Sequence, residues 1–391
     1  MSEFKVIFIL RLSILMESPK VRPYFSLLDA ARGLAAITVL FCHYPLFYIP
    51  VGTESIPADF AFEGLPLFSP FRPLYLYGNA AVQFFWMVSG FVFATIYAGG
   101  VISASKFFQA RLARLYPLHF LTLMVVVLLQ VGAWILDHGF LVYQHNDLYH
   151  FMLHLGFASA WGLQYGDSFN SPIWSVSIEV IVYGIFWCAL RPICRWGVLV
   201  PIVLLIIFGA LYAGTYNVKL IGYCGACFFI GVILRAAFDL LRGKEMLRIF
   251  ASLILLSVGP ILHLLKPAMH GKVYILAALP GVVLLIASLE KSLPTKTKRT
   301  SQWIGDCSYG IYLWHIPIML TLLLVLDCAV GSRAAASSPW FLLLFLTSTI
   351  GVARISFVWF ERPMRDRLRT DALPTVGARR EPRIGAAHLE G

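Results

Sequence analysis

Apolar runs about twenty residues long, parted by short polar stretches, repeat along almost the whole chain. A hydrocarbon core about 30 Å thick needs roughly 20 apolar helical residues to cross it. Such runs lie near 26–46, 80–99, 115–137, 173–191, 197–214, 218–238, 248–266, 272–290, 307–328 and 338–360. The pattern predicts an all-α, polytopic membrane protein with ten transmembrane helices. A shorter stretch, 148–163 (LYHFMLHLGFASAWGL), is too brief to span comfortably and predicts an interfacial or re-entrant helix.

Composition excludes the other broad classes. Of 391 residues, 59% are hydrophobic and 13% charged, and the mean hydropathy is +0.78. A soluble domain carries about a quarter charged residues, so a single soluble domain, a disordered chain and a coiled coil are all excluded. The net charge of +11 would suggest nucleic acid in a soluble protein. Here the spans account for it. With the N-terminus cytoplasmic, alternation puts 25 of the 31 Lys and Arg on the cytoplasmic side, and five (Arg72, Lys219, Lys266, Lys272, Arg333) outside. Arg354 falls within the last span. That bias follows the positive-inside rule, predicts both termini in the cytoplasm and leaves no call for a nucleic-acid partner.

The chain divides into a cytoplasmic N-terminal segment (1–25), a transmembrane domain (26–363) and a disordered cytoplasmic tail (364–391) rich in Arg, Gly, Pro and Ala. Lys5 precedes an apolar stretch, but Arg11 interrupts it and no small-residue cleavage site follows, which argues against a signal peptide. Met1 and Met16 both stand as initiators. Seven cysteines without framework spacing predict no disulfide scaffold, and Cys224 and Cys227 read as core packing.

Ionisable groups inside spans are costly and usually face a bundle interior or a watery cavity. Arg32 and His43 are eleven residues apart, about three helical turns plus 20°, so they project from one face. The rise of about 16 Å sets His43 near mid-membrane above Arg32 at the cytoplasmic rim. A buried neutral imidazole suits a general base; a histidine bonded between helices is the plainer alternative. Arg111 and Arg114, in KFFQARLARLYPLHF, share a face with Lys106 close by. Their guanidinium forks suit phosphate, or simply anchor the helix. Glu179, in SPIWSVSIEVIVYGIF with Tyr183 one turn on, either caps a helix dipole or orients a histidine or an acceptor hydroxyl. His315 either takes part in chemistry or bridges the backbone broken by Pro317. Asp29 is placed to pair with Arg32. His150 and His154 share a face of the short helix, but no third ligand stands at metal spacing and no metal is expected.

In order, LDAARGLAAITVLFCH, VQFFWMVSGF, KFFQARLARLYP, SPIWSVSIEVIVY, CSYGIYLWHIP and FERP resemble the motifs of the membrane acyltransferase-3 family, over roughly residues 26–363. That family includes bacterial O-acetyltransferases of lipopolysaccharide and exopolysaccharide. Ala30 and Ala31 replace the more usual Gly-Leu, and Ala81 stands where Gly is common; none is ionisable. The resemblance implies a ten-helix bundle in the bacterial inner membrane, among membrane lipids. It would move an acyl group, commonly acetyl, from acyl-CoA to a hydroxyl of a glycan or lipid-linked sugar.

Carried over, the Arg-x10-His pattern falls on Arg32 and His43, and Arg-x-x-Arg on Arg111 and Arg114. Trp-Ser-x-Ser-x-Glu falls on Trp174, Ser175, Ser177 and Glu179, and Tyr-Leu-Trp-His on Tyr312 and His315. On that reading the three arginines hold the phosphates of acetyl-CoA. His43 is the base or the acyl carrier, supported by Glu179 and His315. Ser175, Ser177 and Tyr183 are candidate oxyanion donors, and Trp174 and Tyr312 face substrate. A proton-coupled transporter or flippase of a glycan or small molecule is the competing class, because buried His, Arg and Glu fit it equally. No half-to-half repeat supports that class.

Overall fold

The computed structural model describes residues 23–368 apart from 54, 55, 58, 98, 99, 101, 137 and 270. Met1, Met16, the N-terminal apolar stretch and the chain beyond 368 lie outside the described residues. Among the described residues there is no strand. Among the described residues, nine helical stretches are long and apolar enough to cross a membrane, and each overlaps a predicted span. The remaining predicted span, 197–214, is a helix of only 13 residues, Leu199–Leu211. At 1.5 Å per residue it is about 20 Å long, short of the hydrocarbon thickness. The protein is thus an all-α, multi-pass membrane protein.

In chain order the helices are α1 (Ser26–His43), α2 (Phe68–Tyr77), α3 (Ala80–Tyr97), α4 (Ala104–Ile135), α5 (Leu148–Leu155), α6 (Trp174–Trp196) and α7 (Leu199–Leu211). They continue as α8 (Tyr216–Leu240), α9 (Glu245–Leu265), α10 (Gly271–Leu289), α11 (Thr295–Asp306), α12 (Ser308–Val325), α13 (Pro339–Ser356) and α14 (Arg362–Leu368). A π-helical turn, Phe357–Glu361, joins α13 to α14, so helix runs past the expected boundary at 363.

Two helix starts bear on function. α4 begins at Ala104, eleven residues before the predicted span, because ASKFFQARLAR is polar but made of helix formers without a breaker. Its 32 residues put Arg111 and Arg114 on continuous helix rather than in a loop. α1 begins under a carboxylate from another part of the chain. Ser26 Oγ donates to Glu290 Oε1 at 2.7 Å and the Leu27 N–H donates to Oε2 at 2.9 Å. An acid there satisfies orphan donors and complements the helix dipole.

α12 is central, packing against α1, α4 and α13. A second body of core joins α3, α6, α7 and α8 around Trp86, Phe93, Phe186 and Phe228. α3 and α8 cross at backbone contact. A Cβ on Gly90 would run into the Phe228 carbonyl, and one on Gly231 into that of Met87. The short predicted helix exists as α5, capped by Asp147, whose side chain accepts from His150 N at 2.9 Å. It buries His150 and His154 and exposes Leu148, Tyr149 and Met152. All seven cysteines are free thiols, with Cys224 and Cys227 in the core.

Candidate functional site

Arg32 of α1, Arg111 and Arg114 of α4, Ser175, Glu179 and Tyr183 of α6, and Tyr312 of α12 all line one cleft of about 770 Å³. Seven of the residues singled out by sequence therefore converge. Arg32 is paired with Asp29 at 3.4 Å, yet its Nε is buried without a partner. Arg111 stacks its guanidinium 4.8 Å from the Phe93 ring centroid, and its Nε is likewise unpartnered. Arg114 is exposed. Glu179 is 7% exposed and sits beside Ser89 and Tyr183, in the positive field of Arg32 and Arg114. Its Oε1 accepts no hydrogen bond.

Buried polar atoms are almost always satisfied, so three orphans on one cleft mark a place for a polar ligand. Dipole capping does not describe Glu179, because α6 starts at Trp174 and has no acid in its first turn.

His43 and His315 form a separate pair. His43 is the last residue of α1, and its ring centroid lies 4.9 Å from that of His315. Each Nδ1 contacts a backbone carbonyl of its own helix: Val39 O at 3.0 Å and Tyr312 O at 2.7 Å. A carbonyl only accepts, so Nδ1 carries the proton in both rings and the neutral Nε2 atoms hold lone pairs. His315 is fully buried with Nε2 unpartnered. Neither histidine lines the cleft. Tyr312 stands between, lining the cleft on one side and lying 6.0 Å from the His315 ring on the other.

Backbone bridging at Pro317 falls to Asn170, not to His315. Proline lacks an N–H, which leaves the carbonyl of Leu313, four residues earlier, without its helical partner. Asn170 Nδ2 donates to that carbonyl at 3.0 Å and to Thr122 Oγ1 at 3.2 Å. Asn170 is fully buried, and its Oδ1 has no partner. The preceding Phe169 holds φ at 44°, in the left-handed region that a bulky residue rarely enters.

Two expected residues lie elsewhere. Ser177 Oγ accepts from Ala160 N at 3.1 Å and its carbonyl accepts from Trp161 Nε1 at 3.0 Å, so it pins the loop before α6. Trp174 packs edge-on to Trp86 at 5.9 Å. His150 bonds Asp147 and the Tyr165 carbonyl, and His154 bonds Ser168. Among the described residues, no group of three or more His, Cys, Asp or Glu could hold a metal.

Sequence reasoning passed over Ser89, Phe93 and Tyr309, which also line the cleft, and Asn170. Ser89 sits inside VQFFWMVSGF, Tyr309 inside CSYGIY, and Asn170 directly precedes SPIW. Position within the recognised motifs, or within two residues of one for Phe93 and Asn170, was the available signal, since none is charged.

The family model described as an acyltransferase domain matches residues 25–357. Peptidoglycan O-acetyltransferase OatA of Listeria monocytogenes is 24% identical over 384 residues, covering 88% of this chain and 56% of the relative. The chain therefore spans little more than half of that relative's length. The ORF330 protein of Acidianus two-tailed virus is 26% identical over 326 residues, 79% of this chain and 87% of the relative. Protein 2 in the picA locus of Rhizobium radiobacter is 30% identical over 198 residues, 46% of this chain and 85% of the relative. No solved structure matches. With the family model covering most of its length, this chain belongs to the membrane acyltransferase-3 family.

Proposed function

We propose that the protein moves an acetyl group from acetyl-CoA to a hydroxyl of a cell-envelope or secreted glycan, within the bacterial inner membrane. The observation that supports this most is the meeting of Arg32, Arg111 and Arg114 on one cleft, with a histidine pair one ring beyond its end. Coenzyme A is polyanionic and cytoplasmic. Guanidinium groups at a cytoplasmic mouth would bind its phosphates through charge-assisted, bidentate bonds. The peptidoglycan O-acetyltransferase among its relatives favours a glycan acceptor.

In the transfer step, His43 Nε2 takes the proton of the acceptor hydroxyl as its oxygen bonds to the thioester carbonyl carbon. Collapse breaks the C–S bond, and the departing thiolate receives a proton to leave as free CoA. Holding the His43 Nδ1 proton on Val39 O keeps Nε2 as the basic nitrogen. The Ser175 hydroxyl, which lines the cleft beside the Tyr312 hydroxyl, would donate to the oxyanion. Glu179, unpartnered at Oε1, would hold the arginine rim or an acceptor hydroxyl.

The test is to incubate the purified protein in detergent with radiolabelled acetyl-CoA and peptidoglycan fragments, lipopolysaccharide or exopolysaccharide. Labelled glycan that disappears with His43→Ala supports the proposal. Movement of glycan across proteoliposomes without acyl product would overturn it in favour of a carrier.

A further inference from the structure

Three aromatic rings, Phe85, Tyr312 and His315, stand in series between the arginine cleft and His43. Phe85 meets Tyr312 at 5.9 Å, Tyr312 meets His315 at 6.0 Å, and His315 meets His43 at 4.9 Å, centroid to centroid. Rings at these separations are in contact, so no chain of methylenes fits between them. The cleft lining includes Phe85 and Tyr312 and stops there.

Tyr312 is held in place. Its hydroxyl donates to the Pro172 carbonyl at 2.6 Å and contacts Ser175 Oγ at 2.8 Å. Only 5% of its surface is exposed. A thioester whose phosphates sit on the arginines points its acyl tail away from them, toward this ring. The tail, not the sulfur, meets Tyr312 first. Swinging the ring aside gives up both contacts of its hydroxyl, and the space opened is that of one side chain.

Resting on the acyl-transfer reading above, we propose that Tyr312, pinned by Pro172 and Ser175 and backed by Phe85, sets the size limit on the acyl group. Acetyl passes; a chain of four carbons or more is refused. Tyr312 is in this sense a specificity-determining residue rather than the base or the nucleophile. Each extra methylene rejected by such a wall is worth about 10- to 200-fold in discrimination.

The experiment compares kcat/KM for acetyl-CoA and butyryl-CoA on the full chain in detergent, with peptidoglycan fragments, lipopolysaccharide and exopolysaccharide each tried as acceptor and acceptor-dependent free CoA thiol as the readout. Wild type should favour acetyl by about 100-fold. Tyr312→Ala should cut that ratio by about tenfold or more, whereas Tyr312→Phe, which keeps the ring and loses the pins, should move it only a few-fold. Should Tyr312→Ala fail to fold, Phe85→Ala opens the same wall from the cleft side and must lower the ratio too. Equal use of both donors by wild type overturns the size limit. So does an unchanged ratio in any folded wall variant that still transfers acetyl. A wild-type protein that yields no acyl product from either donor overturns acyl transfer itself, and the size limit with it.

Discussion

The imidazoles of His43 and His315 face one another with centroids 4.9 Å apart and planes tilted by 47°. Both rings commit Nδ1–H to a carbonyl of their own helix, so two basic nitrogens are turned loose in one small space. Two imidazolium charges at that distance would repel strongly in a medium of low dielectric. His43→Ala is expected to lower turnover by about 10²- to 10⁴-fold, the usual worth of a general base. Because His43 lies off the cleft, equilibrium binding of acetyl-CoA to this variant should stay near wild type. Initial rates and a binding isotherm on the same preparation check both halves.

Asn170 holds the opened turn of α12 two residues before His315. Asn170→Ala leaves the Leu313 carbonyl buried and unsatisfied, at a cost of about 1–3 kcal/mol. Thermal unfolding in detergent should register that loss. Turnover should fall several-fold with the apparent acetyl-CoA KM unchanged. Thr122→Val keeps the bond to Leu313 and is expected to do far less on both counts.

On the proposed reading, Arg111 serves binding rather than chemistry. Arg111→Ala should raise the acetyl-CoA dissociation constant about tenfold while changing the rate at saturating donor much less. Arg111→Lys should not restore affinity, because an ammonium lacks both the planar fork and the stacking surface over Phe93. An unchanged dissociation constant in the alanine variant would return Arg111 to helix anchoring.

The loop from 143 to 173 contains a pH-sensitive element outside the spans. Burial, reinforced by the neighbouring His119 and His150, pushes the His154 imidazole down to about 3. Unfolded, the ring titrates near about 6.5. Between those values the unfolded loop binds a proton that the folded loop refuses. The contribution is therefore complete above about pH 6.5 and is lost as pH falls toward about 3. Asp147, held below the usual carboxylate range chiefly by the backbone N–H of His150, acts in the same direction at lower pH. Hydrogen exchange across 143–173, corrected for intrinsic rate, should accelerate between about pH 7 and pH 5. His154→Gln should flatten that dependence.

The spans could be read because each carries enough apolar residues to stand out against polar breaks. Helix that extends beyond the hydrocarbon could not, since a polar stretch has the same composition whether wound or not. That is why α4 starts at Ala104 rather than near 115. The same blindness hid α11, a polar helix over 295–306. Charged members of the cleft were conspicuous because charge is rare in a bilayer. Neutral Ser89 and Asn170 were not, although Ser89 sits against Glu179 and Asn170 holds the backbone two residues before His315. Eleven helical steps predict that Arg32 and His43 share a face, yet of the two only Arg32 lines the cleft. That a ring from α12 is slotted between their neighbourhoods depends on tertiary packing, which no spacing encodes.

The reciprocal glycine contact between α3 and α8 decides which side of the molecule can move. Phe85, Trp86, Ser89 and Phe93 all ride on α3, and with Gly90 and Gly231 locking backbone to backbone, that flank behaves as a fixed jaw. Any widening for a ligand would then fall to the opposing flank, at the cost of the Asn170 and Tyr312 hydrogen bonds and the apolar packing that join a proline-interrupted α12 to the segment leading into α6.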